Sequence, residues 1–390
     1  MDPKWTSGNE LKYLKEVLEN SEEVRKNPFT DRLEKSFIEK YSVKYAIAFN
    51  SGASGLHAAM VACNVQPGDE VITSPFSVLW DAAIALIMGA KVKFADVKYG
   101  THNIDPKKVE KLITNKTKAI IPVSYHGLPC DIDELNAIGK KYNIPIIEDN
   151  AQTHLGEYKG KFVGTQSDMS MFSLERTKHI ACHEGGVILT NNENYARIAR
   201  KFGGGGFVNL TSDKSKLAAI IPQQFQSPDY KRHDMLGLNY RISEFQAAVA
   251  LAQMEKVDEK VKIRRDIANI YNNLFSKYEN FEPQEVPEGY KHSYFTYSVK
   301  SPFKELEKWK SFYNHHTENG GDTFYAMMST VYEEKVMVEH KDYKDWKNSC
   351  PITEEIQPKC ILFKTNYRSV DEAEKNIKVL EKNLGSFKFN

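Results

Sequence analysis

The chain has 390 residues, enough for a large catalytic domain and a smaller one. Hydrophobic residues make up 41% and charged residues 27%, and no run approaches the roughly 18 apolar residues of a membrane-spanning helix, so the sequence excludes a membrane protein. Lys and Arg number 53 against 52 Asp and Glu, which argues against nucleic acid as a partner because a strongly basic excess is missing.

Short β-rich runs alternate with amphipathic helical stretches between residues 43 and 190, a pattern typical of βαβ units. This predicts an α/β fold whose large domain carries a mainly parallel, seven-stranded sheet flanked by helices. The predicted strands are 44–49, 70–73, 91–96, 119–123, 144–148, 169–173 and 186–190. The predicted helices between them are 53–65, 77–88, 106–113 and 132–142.

The alternation ends after residue 201. Residues 202–238 open with Gly203–Gly206 and show no period, which predicts a long loop folded over a site. Residues 242–277 then predict a long helix that bridges to a smaller α+β C-terminal domain with a strand at 292–300 and helices at 304–316 and 370–384. The predicted organisation is therefore a large domain over 1–241 with N-terminal helices, the bridging helix over 242–277, and a small domain over 278–390.

Two candidate catalytic side chains follow predicted strands. Asp149 lies in the sequence EDNAQ (148–152), directly after an apolar strand, where ligands of open α/β sheets bind. Lys178 lies in the connection between the strands 169–173 and 186–190, close to the paired glycines 185–186. Taken singly, each has a structural alternative, because Asp149 can cap a helix and Lys178 can be a solvated surface charge.

A third candidate lies between the first strand and the next helix, where Ser51–Gly55 are all small residues. Small residues at a helix start leave backbone N–H groups accessible, and the helix dipole adds to them, which favours a phosphate site. A plain N-cap is an equal alternative. Neither the P-loop spacing nor a dinucleotide-binding glycine fingerprint occurs, so ATPase and NAD-dependent functions lose their main support.

Pyridoxal 5′-phosphate is the cofactor that needs all three candidates at once. Its aldehyde needs a lysine amine, its pyridine nitrogen needs a carboxylate, and its phosphate needs N–H groups. The combination predicts a pyridoxal-phosphate enzyme. No metal site is proposed, because the histidines and cysteines are not spaced in the sequence as metal ligands usually are.

Several motifs in one order make the chain resemble the DegT/DnrJ/EryC1/StrS family of fold type I sugar aminotransferases, over about residues 9–384. The motifs are NSGA at 50–53, PVSYHGLPCD at 122–131, EDNAQ at 148–152, FS at 172–173 with Lys178 and EGG at 184–186, and LNYRISE at 238–244.

The resemblance implies a role for each matching residue. Lys178 corresponds to the family's Schiff-base lysine and Asp149 to the carboxylate that faces the pyridinium nitrogen. Gln152 corresponds to the residue near the ring's phenolic oxygen. The remaining cofactor-binding residues implied are the phosphate ligands Gly52, Ala53 and Ser173, and Asn239, which reaches the phosphate of a neighbouring subunit's cofactor.

The chain departs from the family pattern where an aromatic ring commonly stacks on the cofactor. Val78 stands there, so either Val78 packs on the ring or Phe76 or Trp80 substitutes. His154 and His183 occupy places that are more often small or apolar. We expect them to be packed or rim histidines rather than catalysts.

The resemblance implies a homodimeric transaminase with an active site shared between subunits. It would move an amino group, by a ping-pong reaction through pyridoxamine phosphate, from an amino acid, expected to be L-glutamate, to a keto group of a nucleotide-linked deoxysugar. Alternatives are a sugar dehydratase or lyase of the same fold, or a non-catalytic regulatory protein that binds the cofactor. The polar N-terminus and five cysteines, an odd number, predict a cytoplasmic protein.

Overall fold

The computed structural model describes residues 8–213, 226–303, 305–343 and 345–389. Its helices are α1 Glu10–Glu19, α2 Glu22–Lys26, α3 Phe29–Tyr41, α4 Gly52–Ala62, α5 Trp80–Ile87, α6 Pro106–Leu112, α7 Ile132–Tyr142, α8 Glu193–Gly203, α9 Glu244–Met254, α10 Val257–Phe275, α11 Leu306–Glu318, α12 Lys335–Val338, α13 Pro351–Ile356 and α14 Val370–Ser386. Its strands are β1 Tyr45–Phe49, β2 Glu70–Thr73, β3 Lys91–Phe94, β4 Thr117–Ile121, β5 Ile147–Asp149, β6 Glu157–Tyr158, β7 Lys161–Phe162, β8 Met169–Ser173, β9 Gly186–Thr190, β10 Glu282–Pro283, β11 Tyr290–Lys291, β12 Thr296–Lys300, β13 Tyr325–Ala326 and β14 Cys360–Lys364.

The main sheet has the strand order β1-β9-β8-β5-β4-β2-β3. A four-stranded part, β1-β9-β8-β5, meets a three-stranded part, β4-β2-β3, through parallel bridges from Ile120 to Ile146 and from Val123 to Asp149. Strand β9 runs antiparallel to both of its neighbours, whereas the other pairs are parallel. The predicted mainly parallel sheet of seven strands is confirmed.

Both faces of this sheet are covered, which explains why the central strands β8 and β9 are buried at every position. On β1, Ile47 and Phe49 join a core with α4, α5 and α8, whereas Ala46 and Ala48 join a second core with α3 and α9. Each fully buried aliphatic or aromatic side chain contributes about 1.5–3 kcal/mol of transfer free energy. The two cores therefore fix the strand ends that carry the candidate site.

The predicted bridging helix over 242–277 is wrong as one continuous helix. The structure divides it into α9, which begins at Glu244 after the N-cap Ser243, and α10, which begins at Val257. Lys256, between them, has φ −111° and ψ 6°, outside helical geometry. The division turns α10 away from the large-domain core and toward a separate core that contains Ile267, Tyr271 and Phe275.

That separate core lies under an antiparallel sheet in the order β10-β12-β14-β13, with α11 and α14 packed on it. The segment 331–350 contacts the large-domain sheet instead. Its residues Tyr332, Tyr343 and Trp346 pack around Phe94 of β3, with their ring centroids 5.4–6.4 Å from the centroid of Phe94. Part of the predicted small domain thus packs on the large-domain sheet. The domain limits stay predictions.

Within the described part of the long segment 202–238, Gly203 ends α8 and short bridges join Gly204 to Asn239 and Phe207 to His233. Residues 214–225 of the predicted loop lie outside the described residues. Among the described residues, no helix has the length and apolar character needed to cross a membrane.

Candidate active site

The small residues after β1 form a capped helix start. Ser51 Oγ accepts the backbone N–H of Ser54 at 3.0 Å, and Ser54 Oγ accepts the N–H of Ser51 at 3.1 Å. The cap occupies the third helical N–H, and among the described residues the N–H groups of Gly52 and Ala53 have no acceptor. The N-cap and the anion site are therefore compatible, because the cap leaves two donors at the positive end of α4.

Ser173, at the end of β8, lies against this helix start. A Cβ on Gly52 would stand 3.1 Å from Met171 Sδ and 3.2 Å from Ser173 Cβ. Ser173 Oγ accepts the N–H of Glu175 at 3.3 Å, so its hydroxyl proton remains to be donated. The structure thus brings together Gly52, Ala53 and Ser173, the three predicted phosphate ligands.

Asp149 is buried at the end of β5, and its Oδ1 accepts the N–H of Ala151 at 2.8 Å. Burial raises the pKa of Asp149, whereas the Ala151 N–H, the charge of Lys178 and a hydrogen bond with Asp81 lower it. The carboxyl group is held by its own turn and lies within the electrostatic reach of the candidate lysine.

Lys178 lies in the turn after β8, with its Nζ 4.3 Å from the centre of the Phe295 ring. Within the described part of the chain, no carboxylate oxygen lies within 4 Å of this Nζ. Burial lowers the pKa of Lys178 and the charge of Arg264 lowers it further, whereas Glu175 and Asp149 raise it. The site therefore favours the neutral, nucleophilic amine more than water does.

Gln152 and the ring-stacking candidates have distinct surroundings. Gln152 Oε1 accepts the backbone N–H of His126 at 2.8 Å, which fixes the side-chain amide. Val78 is half-buried, Phe76 is buried in a stack with Tyr125 at 5.8 Å, and Trp80 is 57% exposed. Trp80 is the least suited of the three to stack on a buried ring, and Val78 as the ring contact stays a prediction.

Within one chain, Asn239 does not join the other candidate cofactor-binding residues. It is exposed, its backbone forms a bridge to Gly204, and the next residue, Tyr240, accepts the N–H of Asn50 at 2.8 Å. Its predicted reach to a neighbouring subunit's cofactor stays a prediction.

The two histidines differ in placement. His154 is fully buried, with its Nε2 3.0 Å from the carbonyl oxygen of Ser173, and burial lowers its pKa to about 4. His154 is therefore a neutral, packed side chain near neutral pH. His183 is exposed and has φ +77°.

Sequence reasoning missed Asp81, Phe295 and Arg264. Arg264, on α10, donates to the carbonyl oxygen of Phe295 at 2.8 Å and to Thr365 Oγ1 at 3.0 Å, and burial lowers its pKa to about 10. No local pattern could reveal contacts between such distant segments. Asp81 lies in the first turn of α5, where an acidic residue is ordinary, so no signal in the sequence marked it either.

A cavity of about 720 Å³ opens beside Lys178, between α10 and the region around β14 and α14. Its lining contains six basic and three acidic side chains: Lys178, Lys256, Lys260, Arg264, Lys364 and Arg368, with Glu259, Asp322 and Glu372. The size is in the range of small-molecule sites. The basic excess favours an anionic ligand.

These features fit pyridoxal 5′-phosphate. The N–H groups of Gly52 and Ala53 and the Ser173 hydroxyl suit its phosphate, the Asp149 carboxyl suits its ring nitrogen, and the Lys178 amine suits its aldehyde.

Comparison with known proteins gives one family and one fold. The model of the DegT/DnrJ/EryC1/StrS aminotransferase family matches residues 6–378. An uncharacterized protein of Methanocaldococcus jannaschii is 33% identical over 293 residues, covering 73% of this chain and 72% of its own.

Two solved structures have the same fold. An aminotransferase from Psychrobacter cryohalolentis has a TM-score of 0.84 at 24% identity and covers 96% of each chain. Helicobacter pylori PseC, an aminotransferase involved in the biosynthesis of pseudoaminic acid, has a TM-score of 0.82 at 23% identity and covers 97% of each chain.

Proposed function

The chain belongs to the DegT/DnrJ/EryC1/StrS aminotransferase family, and on this premise we propose that it transfers an amino group from glutamate to a keto group of a nucleotide-linked deoxysugar. It is a pyridoxal-phosphate-dependent aminotransferase of fold type I. The observation that carries the proposal is the position of Lys178, a half-buried lysine that lies at the wall of a basic cavity and within the electrostatic influence of Asp149.

When bound, pyridoxal 5′-phosphate supplies an aldehyde that takes up amines and a protonated ring that accepts electrons. The chain's own residues supply orientation and proton transfer. Asp149 holds the proton on the ring nitrogen, because an ionised carboxylate stabilises a pyridinium N–H. The Nζ of Lys178 would take the proton from the donor's α-carbon and deliver it to the aldehyde carbon of the cofactor, and its lowered pKa favours the first of these transfers.

The substrate proposal rests on the cavity. A nucleotide-linked sugar carries phosphates and glutamate carries two carboxylates, so both substrates are anions that a basic lining attracts. Arg264 and Lys178 line the same cavity, so an anion bound there lies next to the reacting amine. The pseudoaminic-acid role of the Helicobacter pylori relative agrees with a sugar substrate.

The proposed assembly is a homodimer in which Asn239 reaches the partner's cofactor. Apolar side chains near Asn239 in the sequence are exposed in the single chain, with Leu236 at 94%, Leu238 at 45% and Phe245 at 48%. Their burial against a second copy would favour the proposed dimer. The proposed compartment is the cytoplasm, which agrees with five free, buried cysteines.

The test is a coupled assay of the purified protein, loaded with cofactor and supplied with glutamate and a panel of keto-sugar nucleotides. The expected result is one mole of 2-oxoglutarate for each mole of aminated sugar. Lys178→Ala is the negative control. A deoxygenated sugar without an amine would instead support a dehydratase, and no reaction with any sugar would contradict the substrate proposal.

A further inference from the structure

A second carboxyl group lies beside Asp149. Asp81 is in the first turn of α5 and is 1% exposed, while Asp149 at the end of β5 is 3% exposed. The two carboxyl groups lie within interaction reach of each other, and the charge of Asp149 acts on Asp81. Two like charges buried this close together do not both ionise, and a hydrogen bond between two carboxyl groups requires a proton on one of them. The pair therefore holds one proton.

The surroundings assign that proton to Asp81. Ser77 Oγ donates to Asp81 Oδ2 at 2.5 Å, but among the described residues Asp81 Oδ1 receives no N–H or O–H donor. Asp149, by contrast, accepts the Ala151 N–H and lies near the cationic Lys178. Burial, and then the charge of Asp149, raise the pKa of Asp81 well above its ordinary range. Asp149 is the better-stabilised anion of the two.

Other ionisable side chains lie on the elements packed against α5. They are His57 on α4, Glu70 on β2, and Lys91 and Lys93 on β3. Glu70 and Lys93 pair with each other at 2.9 Å, Lys91 is exposed, and burial lowers the pKa of His57 toward the neutral imidazole. The charged neighbours that bear on the proton of the pair are therefore Asp149 and Lys178.

We propose that Asp81 is a positioning residue of the cofactor site, whose protonated carboxyl donates a hydrogen bond to Asp149 and holds it as an oriented carboxylate. The proposal rests on the proposed role of Asp149 at the ring nitrogen. A carboxylate that already accepts this hydrogen bond is a weaker base. The proton shared between Asp149 and the pyridine therefore stays on the ring, where it is needed for electron uptake.

The first test uses the cofactor-free protein and infrared spectroscopy at neutral pH. We expect the carbonyl stretch of a protonated carboxylic acid in the wild-type spectrum and its loss in Asp81→Asn. The matched control is Glu148→Gln, since burial also raises the pKa of Glu148, but Ser167, Asn150 and Gly164 donate hydrogen bonds that stabilise its carboxylate. A wild-type spectrum without the band, or a band removed by Glu148→Gln and kept by Asp81→Asn, would overturn the proposal.

The second test measures how tightly the cofactor-free variants bind pyridoxal 5′-phosphate, by fluorescence titration. Asp81→Asn keeps an N–H donor toward Asp149, so we expect its affinity to stay within about threefold of wild type. Asp81→Leu has no donor, and we expect about tenfold weaker binding, the usual effect of one lost hydrogen bond to a charged group. Equal affinities for the Asn and Leu variants would overturn the proposal.

Thermal unfolding of the cofactor-free protein gives a third measurement. A carboxyl group whose folded-state pKa is raised loses its contribution to stability as the pH rises from its unfolded value through the folded value. The Tm of Asp81→Asn relative to wild type should therefore increase from pH 4 to pH 7, and a constant or falling difference would count against Asp81 as the protonated member. None of the three tests depends on amino transfer, so failure of the proposed reaction is distinguishable from failure of this inference.

Discussion

Substituting Gly186 by alanine tests whether close backbone packing builds the phosphate site. Gly186 lies on β9, paired with Phe49 of β1 on one side and with Ser173 of β8 on the other. A Cβ at this position would stand 2.5 Å from the Ser51 carbonyl oxygen and 2.8 Å from Gly52 Cα. These are backbone atoms that cannot rotate away. To reach ordinary contact at 3.4 Å, β9 and the start of α4 must separate by about 0.9 Å.

The separation has two expected consequences. Overpacking of a buried position costs about 1–3 kcal/mol, so the free energy of unfolding should fall by that amount. The shift also moves the N–H groups of Gly52 and Ala53, and a displacement of about 1 Å in a positioned site costs up to about 100-fold. We expect the affinity of the Gly186→Ala variant for pyridoxal 5′-phosphate to fall at least tenfold.

The assays are urea unfolding of the cofactor-free protein and fluorescence titration with the cofactor. Gly55→Ala, on the neighbouring helix α4, is the control, because its Cβ would meet Phe49, Ile188 and Met171 at ordinary distances of 3.5–3.6 Å. Alanine is favoured over glycine inside a helix by about 1 kcal/mol, so this variant should be slightly more stable and bind normally. Wild-type stability and affinity in Gly186→Ala would refute the reasoning.

Three further substitutions and one chemical probe test the reacting lysine, the arginine beside it, and two buried groups of the large domain. Lys178→Ala should reduce amino transfer by at least about 10²–10⁴-fold in a single-turnover assay, because the proton-transferring amine is removed. Arg264→Leu should raise the pKa of Lys178, seen as a shift of the rate–pH profile to higher pH, and should cost about 2–4 kcal/mol in urea unfolding through the lost hydrogen bonds. Arg200→Met should cost about 3–5 kcal/mol in the same assay, because it leaves Glu34 buried without the bidentate partner that it has at 2.8 and 2.9 Å. Cys182, whose pKa burial raises to about 12, should resist a thiol reagent at pH 8 until the protein unfolds, and rapid labelling of the native protein would contradict its burial.

The apolar runs of the sequence were sufficient to locate the large-domain sheet. Strands β2, β8 and β9 and helix α7 begin and end where the pattern predicts, because buried strands and amphipathic helices leave unambiguous periods. The division between α9 and α10 could not be predicted, since Glu255 and Lys256 carry no helix-breaking side chain. What ends α9 there is tertiary: its apolar face belongs to the core of the large domain, whereas α10 continues into that of the small one.

The residues of the candidate site likewise fall into those that the sequence pattern predicted and those that only the tertiary structure reveals. Asp149 and Lys178 were found because each follows a strand, and Gly52 and Ala53 because they start a helix after β1. Phe295 and Arg264 were missed because they meet Lys178 only when the small domain packs against the large one. Asp81 stands in a helical first turn, where an acidic residue is ordinarily a favourable partner of the helix dipole, and its burial beside a second carboxyl is not visible in the sequence.

The charges of the site depend on one another in a way that favours a protonated ring. Asp149 raises the pKa of Lys178, and the charge of Lys178 lowers the pKa of Asp149, so each ion stabilises the other. A nucleophilic, neutral Lys178 would leave Asp149 as a buried anion without a cation, which is costly. With Asp149 at the ring nitrogen, as proposed, a pyridinium N–H would replace the lost positive charge, and the proton that we assign to Asp81 would prevent a second anion from forming there. Binding of a protonated ring and neutralisation of the lysine would therefore favour each other.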